Sequence, residues 1–516
     1  MLKDTRVEMF EEIDRWLSRS DSSVLWIHGP AGSGKSTIAS ELARREENDR
    51  LGATFFCRST DSHTQDPNLV FSTIAFQLAN SILPFMDCVV TALRNNHYDS
   101  SQSIANQFEC LIKEPLEEMN RSLDRTHNSH SQVIVVILDA LDECGDVKSR
   151  GALLQCLKEE MKTPTLPSWF KLLITSRPTH DIRLALHGAY KMPIKLDSES
   201  NKSDLHKFVE DCMSNLVDEF GGDLPLGWPE RERMDKIEEL AQGLFQWVRH
   251  LHKFVQQGTD QDECLDRVLS TDFHGEPTER LYDLYATTLT HICKDEPEDF
   301  FADYKLYMGR ILAAKSPLTS SDFCSLFPGS KKAVLDGIVW RFGSVLYKDG
   351  KGAIRVVHQS LIDFLTISER CADADPRLHI DLEINNMAFA RSCLELLSQT
   401  LKFNTCELPN AYQLRSELEE LPWLLDDHVP KPVRYSCRFW AAHLEAMPKE
   451  VNEVYQDAKR FFQERVFYWL EVLSLLGEQE SALTSLRDVQ KWVDLVKVGL
   501  NFNDAISVYR SPLCAC

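Results

Sequence analysis

The sequence predicts a parallel α/β sheet followed by a helical segment, a winged helix and an all-α C-terminal region. Three observations predict it. The apolar run Val24-Leu25-Trp26-Ile27 leads into Gly29-Pro30-Ala31-Gly32-Ser33-Gly34-Lys35-Ser36-Thr37 and then into the helical stretch Ile38–Ala43. The apolar, mostly β-branched run from Val133 to Leu138 ends on Asp139, as a strand buried on both faces would. Beyond residue 200 the apolar residues recur at helical spacing, broken by one hairpin signal.

Strand, G-x-x-x-x-G-K-S, helix is the setting a phosphate-binding loop (P-loop) requires. Gly32 and Gly34 permit backbone angles closed to other residues, so successive N–H groups can face one concavity at the positive end of a helix. Residues Gly29, Pro30, Ala31, Gly32, Ser33, Gly34, Lys35, Ser36 and Thr37 are the candidate phosphate-binding set. Lys35 would reach the β- and γ-phosphates, and the Ser36 hydroxyl would bind Mg²⁺. A Gly-rich turn that binds nothing is the plainer reading; the flanking strand and helix count against it.

The remaining elements follow in order. Residues 1–20 place Val7, Met9, Phe10, Ile13, Trp16 and Leu17 on one amphipathic helix laid against the next domain. Ala53–Cys57 reads as a second strand, and a helix carries Leu69, Phe71, Ile74, Ala75 and Leu78. A further helix covers about 107–123. In the strand that ends at Asp139, the carboxylate sits where open α/β sheets bind ligands, placed to hold Mg²⁺ opposite Ser36. Asp142 and Glu143 lie just beyond; either could orient or activate an attacking water, or serve only as a solvated helix start. Lys171–Pro178 is a third buried strand ending in polar residues. Arg177 lies at the same edge, where it would sense a γ-phosphate or stand as a surface arginine. Ile194-Lys195-Leu196 is expected to close the sheet.

Helices are expected at 202–216 and 231–242, and Leu244, Phe245, Trp247, Val248, Leu251, Phe254 and Val255 form one apolar face that reads as core. Helices around 304–314, 320–326 and 331–341, then a hairpin over 344–357, make a winged helix, with His358–Leu365 opening the next helix. The tail is expected to be helical around 385–400, 433–445, 457–476 and 481–498, anchored by Tyr435, Trp440, Phe467, Trp469 and Trp492. The domain boundaries expected are 1–20, 21–198, 199–295, 296–372 and 373–516. Cys514-Ala515-Cys516 lacks a C-a-a-X pattern and is not read as a lipidation site.

Composition narrows the partners. The 516 residues include 57 Lys+Arg against 79 Asp+Glu, a formal charge of −22. That surface repels a phosphate backbone, which disfavours nucleic acid or an anionic membrane. No apolar run approaches the roughly 20 residues of a membrane span. The 15 cysteines show no zinc-like pairs. With a polar N-terminus, this points to a reducing, cytoplasmic setting.

The three motifs, Gly29–Thr37, Asp139-Ala140-Leu141-Asp142-Glu143 and Leu173–Pro178, in this order resemble the NACHT class of signal-transducing P-loop NTPases. A small residue after the aspartate and an acidic one three positions on is that class's form of the second motif. Leu51–Phe56, Phe71–Leu78 and His358–Leu365 are similar to fungal members tied to heterokaryon incompatibility, and Tyr435–Leu444 and Tyr468–Leu476 to mushroom-type ones. The resemblance implies a switch. The core, a helical segment and a winged helix close around ADP; exchange for ATP opens them and permits assembly into a homo-oligomeric ring. A winged-helix histidine of relatives touches the β-phosphate, and His358 is the nearest counterpart; a satisfied structural histidine is the rival reading. The implied cofactor is Mg²⁺ with ATP/ADP or GTP/GDP, since the proline many relatives place against the base is missing near Gln242–Phe245. Relatives often carry effector and repeat domains that are not evident here, so the sequence reads as a fragment, a short paralogue, or the partner of an effector or repeat-containing protein. Two rival readings are a small-molecule kinase using the same loop and a scaffold with a relic NTPase core. The long helical region after the sheet argues against the first, and the intact motif residues against the second.

Overall fold

A computed structural model describes residues 2–19, 22–59, 61–95, 103–125, 133–367, 371, 374–408, 415, 418, 421–448 and 452–496. The chain divides into two compact units, one of residues 1–291 with 358–364, the other of residues 292–357 with 365–516.

The first unit is built on a five-stranded parallel sheet. Its strands are β1 (Val24–His28), β2 (Leu51–Phe56), β3 (Ile134–Asp139), β4 (Phe170–Ser176) and β5 (Tyr190–Pro193), in the order β2-β3-β4-β1-β5. β4 therefore lies between the strand that feeds the glycine-rich loop and the strand that ends on Asp139. Every residue of β3 and β4 is buried, which is why both read as continuous apolar runs rather than alternating ones. The register pairs Ile27 with Thr175 and Leu138 with Ile174. The carboxyl ends of β1, β4 and β3 thus finish level at one edge.

Side chains alternate between two cores. Val24, Trp26, Val136, Leu138, Leu172 and Ile174 face helices that include Val70–Ser81 and Leu83–Asn95. Leu25, Ile27, Val135, Ile137 and Leu173 face the other way, against Phe10, Ile13 and Trp16 of α1 (Val7–Leu17) and Ile38 and Leu42 of α2 (Lys35–Glu46). The N-terminal helix is laid on the sheet as expected, although Val7 is exposed. Lys171, fully buried, donates from Nζ to the carbonyls of Arg19 and Ser22, tying the exit of α1 to β4. At the free edge, the Gln77 side-chain amide accepts from the Thr54 N–H (2.9 Å) and donates to the Thr54 carbonyl (2.9 Å).

Several expectations shift. The closing strand is Tyr190–Pro193, not Ile194–Leu196. The parallel register with Leu25–His28 selects the earlier residues, and Ile194 adds only one further hydrogen bond, to the His28 carbonyl. The helix expected at 107–123 spans Ile104–Arg125 with a π-helical segment at Phe108–Lys113, and Leu83–Asn95 was not anticipated. Helices Gly151–Lys162, His180–Ala185, Glu199–Phe220, Arg231–Ala241, Phe245–Gln257, Gln261–Leu269 and Pro277–Ile292 also belong to the stretch that forms this unit with residues 358–364.

In the second unit, helices Glu298–Ala313, Ser320–Leu326 and Lys332–Arg341 precede an antiparallel pair, β6 (Leu346–Lys348) and β7 (Ile354–Val356). Thr319 starts the second of these helices with a reciprocal capping box to Asp322. The described residues after 380 form helices Leu382–Thr400, Leu421–His428, Lys431–Glu445, Asn452–Glu464, Val466–Leu476 and Gln479–Val496. Tyr435, Trp440, Trp469 and Trp492 are buried as expected, but Phe467 is 66% exposed. The single helix expected over 457–476 is interrupted at Arg465, whose φ of −126° breaks the periodicity. The phase restarts there and turns Phe467 outward while burying Trp469, Val472 and Leu473. The Cys514–Cys516 terminus lies outside the described residues. Every cysteine among the described residues is a free thiol, and no described helix is long and apolar enough to cross a membrane.

Candidate functional site

The glycine-rich loop connects β1 to α2. Gly32 and Gly34 have φ of +75° and +90°, so the two glycines sit where the loop needs left-handed backbone. Ser33 is fully buried and its hydroxyl donates to the Pro30 carbonyl (2.9 Å). Ala31 is buried, and Ser36 and Thr37 are exposed at the helix start. Lys35, buried, donates from Nζ to the Gly29 carbonyl (3.0 Å) and the Pro30 carbonyl (2.8 Å). Burial lowers its pKa to about 8, opposed by Asp142 and reinforced by Arg177. The loop thus carries a cation whose compensation inside the protein is incomplete.

Asp139, at the end of β3, is 2% exposed. The Thr175 hydroxyl donates to its Oδ1 (2.5 Å) and accepts from the Ala140 N–H (2.9 Å), and Ser36 makes a further polar contact with it. Burial raises the Asp139 pKa against these hydrogen bonds and the nearby Lys35. Ala140 takes a left-handed φ of 54° and opens the short turn Leu141–Glu143. Arg150 pins that turn from behind, donating to the carbonyls of Asp142 (2.9 Å) and Gly145 (3.2 Å) while paired with Asp181 (2.7 Å).

The two acidic residues of the turn part company. Asp142 is engaged by Arg177, through the backbone N–H (2.8 Å) and Nε (3.1 Å). Glu143 accepts from the Ser59 N–H (3.2 Å), and burial pushes its pKa up to about 7. Arg177 also reaches Asp363 with Nη1 (3.3 Å). Gln359 accepts from the Ser59 hydroxyl and donates to Asp363 (3.1 Å). His358 Nδ1 accepts from the Ser360 N–H (3.1 Å) and lies 2.7 Å from the Ser360 hydroxyl. A nitrogen accepting a backbone N–H carries no proton, so the ring is neutral with its proton on Nε2. Burial and the positive Arg177 and Lys35 lower the His358 pKa to about 4, which agrees.

The structure therefore brings Lys35, Ser36, Asp139, Asp142, Glu143, Arg177 and His358 to one sheet edge. It adds residues that sequence reasoning missed. Arg6 donates from Nη2 to the Ser33 carbonyl (3.0 Å), lies 4.7 Å over the Phe245 ring, and its own N–H donates to Asp204 (2.9 Å). Gln246 donates its N–H to the Gly32 carbonyl (3.3 Å). Thr175, Ser59, Gln359 and Asp363 complete the ring of contacts. Beside Pro30 a cavity of about 780 Å³ is lined by Leu196, Leu205, Gln242, Gly243 and Pro277, a size suited to a small organic ligand.

The donor set fits a magnesium-bound polyphosphate. Hydroxyl and carboxylate oxygens at Ser36 and Asp139 are the hard ligands Mg²⁺ takes, and the under-compensated Lys35 ammonium matches an anion. Ser36 and Asp139 are the residues that could hold the metal.

Comparison with known proteins agrees with this geometry. The family described as "Nephrocystin 3, N-terminal" matches residues 8–177, which contain the loop, Asp139 and Arg177. The "Vegetative incompatibility protein HET-E-1" of Podospora anserina is 24% identical over 527 aligned positions. The match covers 95% of this chain but only 36% of that protein. Among solved structures, "Structure of Drosophila ORC bound to GC-rich DNA and Cdc6" aligns over 98% of this chain and 68% of its own at 13% identity, with a TM-score of 0.24, too low to carry an argument. With three motifs converging on one sheet edge, this chain is similar over nearly its whole length to a fungal vegetative incompatibility protein, and it spans about a third of that protein's length.

Proposed function

We propose that the chain is a nucleotide-dependent switch. It binds Mg-ATP or Mg-GTP, hydrolyses it slowly, and controls self-assembly in intracellular recognition signalling. The observation that carries this reading is the convergence of Lys35, Asp139, Glu143 and Arg177 with residues 358–364 in one compact unit. In this reading the region from 296 to 372 is a winged helix, the region from 199 to 295 a helical lid, and residues 373–516 an all-α domain.

The residues divide the work. Backbone N–H groups of Gly29–Thr37 and the Lys35 ammonium bind the phosphates. Ser36 and Asp139 hold Mg²⁺, which neutralises charge on the phosphate oxygens when bound. Thr175 fixes the Asp139 rotamer. Asp142 is occupied by Arg177 and positions it, so Glu143, with a pKa near neutrality, is the base that takes a proton from water. The neutral His358 offers Nε2–H as a donor to a phosphate oxygen. The cavity beside Pro30 accommodates the nucleoside.

Arg177 is the balance point. Asp363 holds it in the absence of a third phosphate, and a γ-phosphate competes for the same guanidinium. Asp363→Asn is therefore expected to raise the ratio of triphosphate to diphosphate affinity about fivefold, read by competition with a fluorescent nucleotide. An unchanged ratio would remove Asp363 from the switch.

The direct test is nucleotide binding by calorimetry with Mg-ATP, Mg-GTP and their diphosphates. A bound phosphate returns the Lys35 pKa from about 8 toward its ordinary value. At pH 9 binding is then expected to take up close to one proton, visible as a dependence of the heat on buffer ionisation. Glu143 is ionised in both states at that pH, so the signal belongs to Lys35. Absence of binding by all four nucleotides at micromolar affinity would overturn the proposal.

A further inference from the structure

A chain of buried polar groups runs from the glycine-rich loop to residues 358–364 without passing through the phosphate site. It starts at the Gly32 carbonyl, which accepts the Gln246 N–H (3.3 Å). The approach is tight: a Cβ on Gly32 would come within 2.7 Å of the Gln246 Cβ. The Gln246 side chain is in polar contact with the Tyr285 hydroxyl. That hydroxyl lies 2.9 Å from the Ser360 hydroxyl, which lies 2.7 Å from His358 Nδ1. Gln246, Tyr285 and Ser360 are all buried, with Tyr285 at 1% and Ser360 at 0% exposure.

The direction of the chain is fixed. His358 Nδ1 already accepts the Ser360 N–H, so the Ser360 hydroxyl can only donate to it. Ser360 then accepts from Tyr285, whose O–H is the donor, and the Tyr285 oxygen is left to accept from the Gln246 amide. From the Gln246 side chain onward, every proton points toward His358, while the Gln246 backbone N–H points back to the Gly32 carbonyl. The Tyr285 ring also packs against Phe364 (centroids 5.9 Å apart) and edge-on to His250 (4.8 Å), so it has little freedom to rotate. Buried polar chains of this kind are costly to leave half satisfied. A shift of the Gly32 carbonyl therefore disturbs Ser360 and His358 together.

We propose that Gln246 and Tyr285 are positioning residues that couple the conformation of the loop at Gly32 to the docking of residues 358–364. The inference rests on the reading of that segment as the part the nucleotide state releases. It adds a second route, through the loop backbone, to the direct contact of His358 with phosphate.

The test is hydrogen exchange on the full chain, followed at the amides of 358–364, with Mg-ADP and Mg-GDP as probes. In the wild type, the diphosphate that binds is expected to slow exchange there about tenfold. Tyr285→Phe, which removes one oxygen, is expected to lose most of that slowing and to weaken diphosphate binding by a similar factor, because coupling is reciprocal. Ser360→Ala is expected to do the same, and the double variant to be no worse than either, since both cut one chain. A merely structural role would raise exchange equally with and without nucleotide and leave affinity alone; that result overturns the proposal. If the wild type binds neither diphosphate, the reading in the preceding section fails, and the coupling is decided without ligand. Gly32→Ala, whose methyl meets Gln246, is then expected to raise exchange at 358–364 in the wild-type background and to add nothing in Tyr285→Phe. Equal effects in both backgrounds, or none in either, would overturn it.

Discussion

Lys35→Ala is expected to weaken Mg-nucleotide binding by about a hundredfold, the effect of losing a charge-assisted donor to phosphate in a buried site. The unliganded protein is expected to melt no lower than the wild type. Both halves follow from the same observation. Lys35 is buried on two loop carbonyls with its pKa lowered to about 8. A base whose folded pKa lies below its unfolded value costs stability wherever the unfolded state binds the proton. The cost is absent above pH 10.5, grows as pH falls toward 8, and is fully present below that. It amounts to roughly 3 kcal/mol at pH 7, offset in the variant by the lost packing of the lysine stem. Melting curves across pH 7 to 10, with affinity measured alongside, check the pair of claims. Nucleotide affinity within threefold of wild type would show that the loop does not bind through Lys35.

Glu143→Gln carries the second large effect. If Glu143 takes the proton from water, the substitution is expected to slow hydrolysis by about 10²–10³ while leaving nucleotide affinity nearly unchanged. The wild-type rate should rise with pH through a midpoint near 7, because the ionised form is the base and burial sets its pKa there. Stability moves the opposite way. The folded pKa lies above the unfolded one, so the folded state loses stability as pH rises from about 4.5 to 7, by up to about 3 kcal/mol. Glu143→Gln removes that slope. A variant that turns over at the wild-type rate would return the assignment to Asp142, which the structure ties to Arg177 through two contacts.

The parts of the site that sequence made legible are those whose chemistry is local. Strand, glycines, lysine and serine are contiguous, and Asp139 and Arg177 each end a run that only a buried strand explains. Arg6, Gln246, Tyr285, Gln359 and Asp363 carried no such signal. Each is an ordinary residue whose role comes from contacts across the fold: Arg6 with Asp204, Ser59 with Gln359, Arg177 with Asp363. Sequence also left Asp142 and Glu143 equivalent, because what separates them is which one Arg177 reaches. The misplaced closing strand has a similar cause. Tyr190-Lys191-Met192-Pro193 is an edge strand with Lys191 and Pro193 exposed, and such a strand has no apolar run to announce it. At Phe467 a correct apolar pattern met an unforeseen interruption at Arg465, and a periodicity argument fails once the phase resets.

The amide of Gln77 laid along β2 has a consequence for how copies of this protein can join. An outermost strand with bare N–H and C=O groups invites another chain to extend the ladder, the route by which cross-β fibrils grow. At Thr54 both groups are already taken by a glutamine that imitates a neighbouring strand. An incoming strand on that side must first evict it.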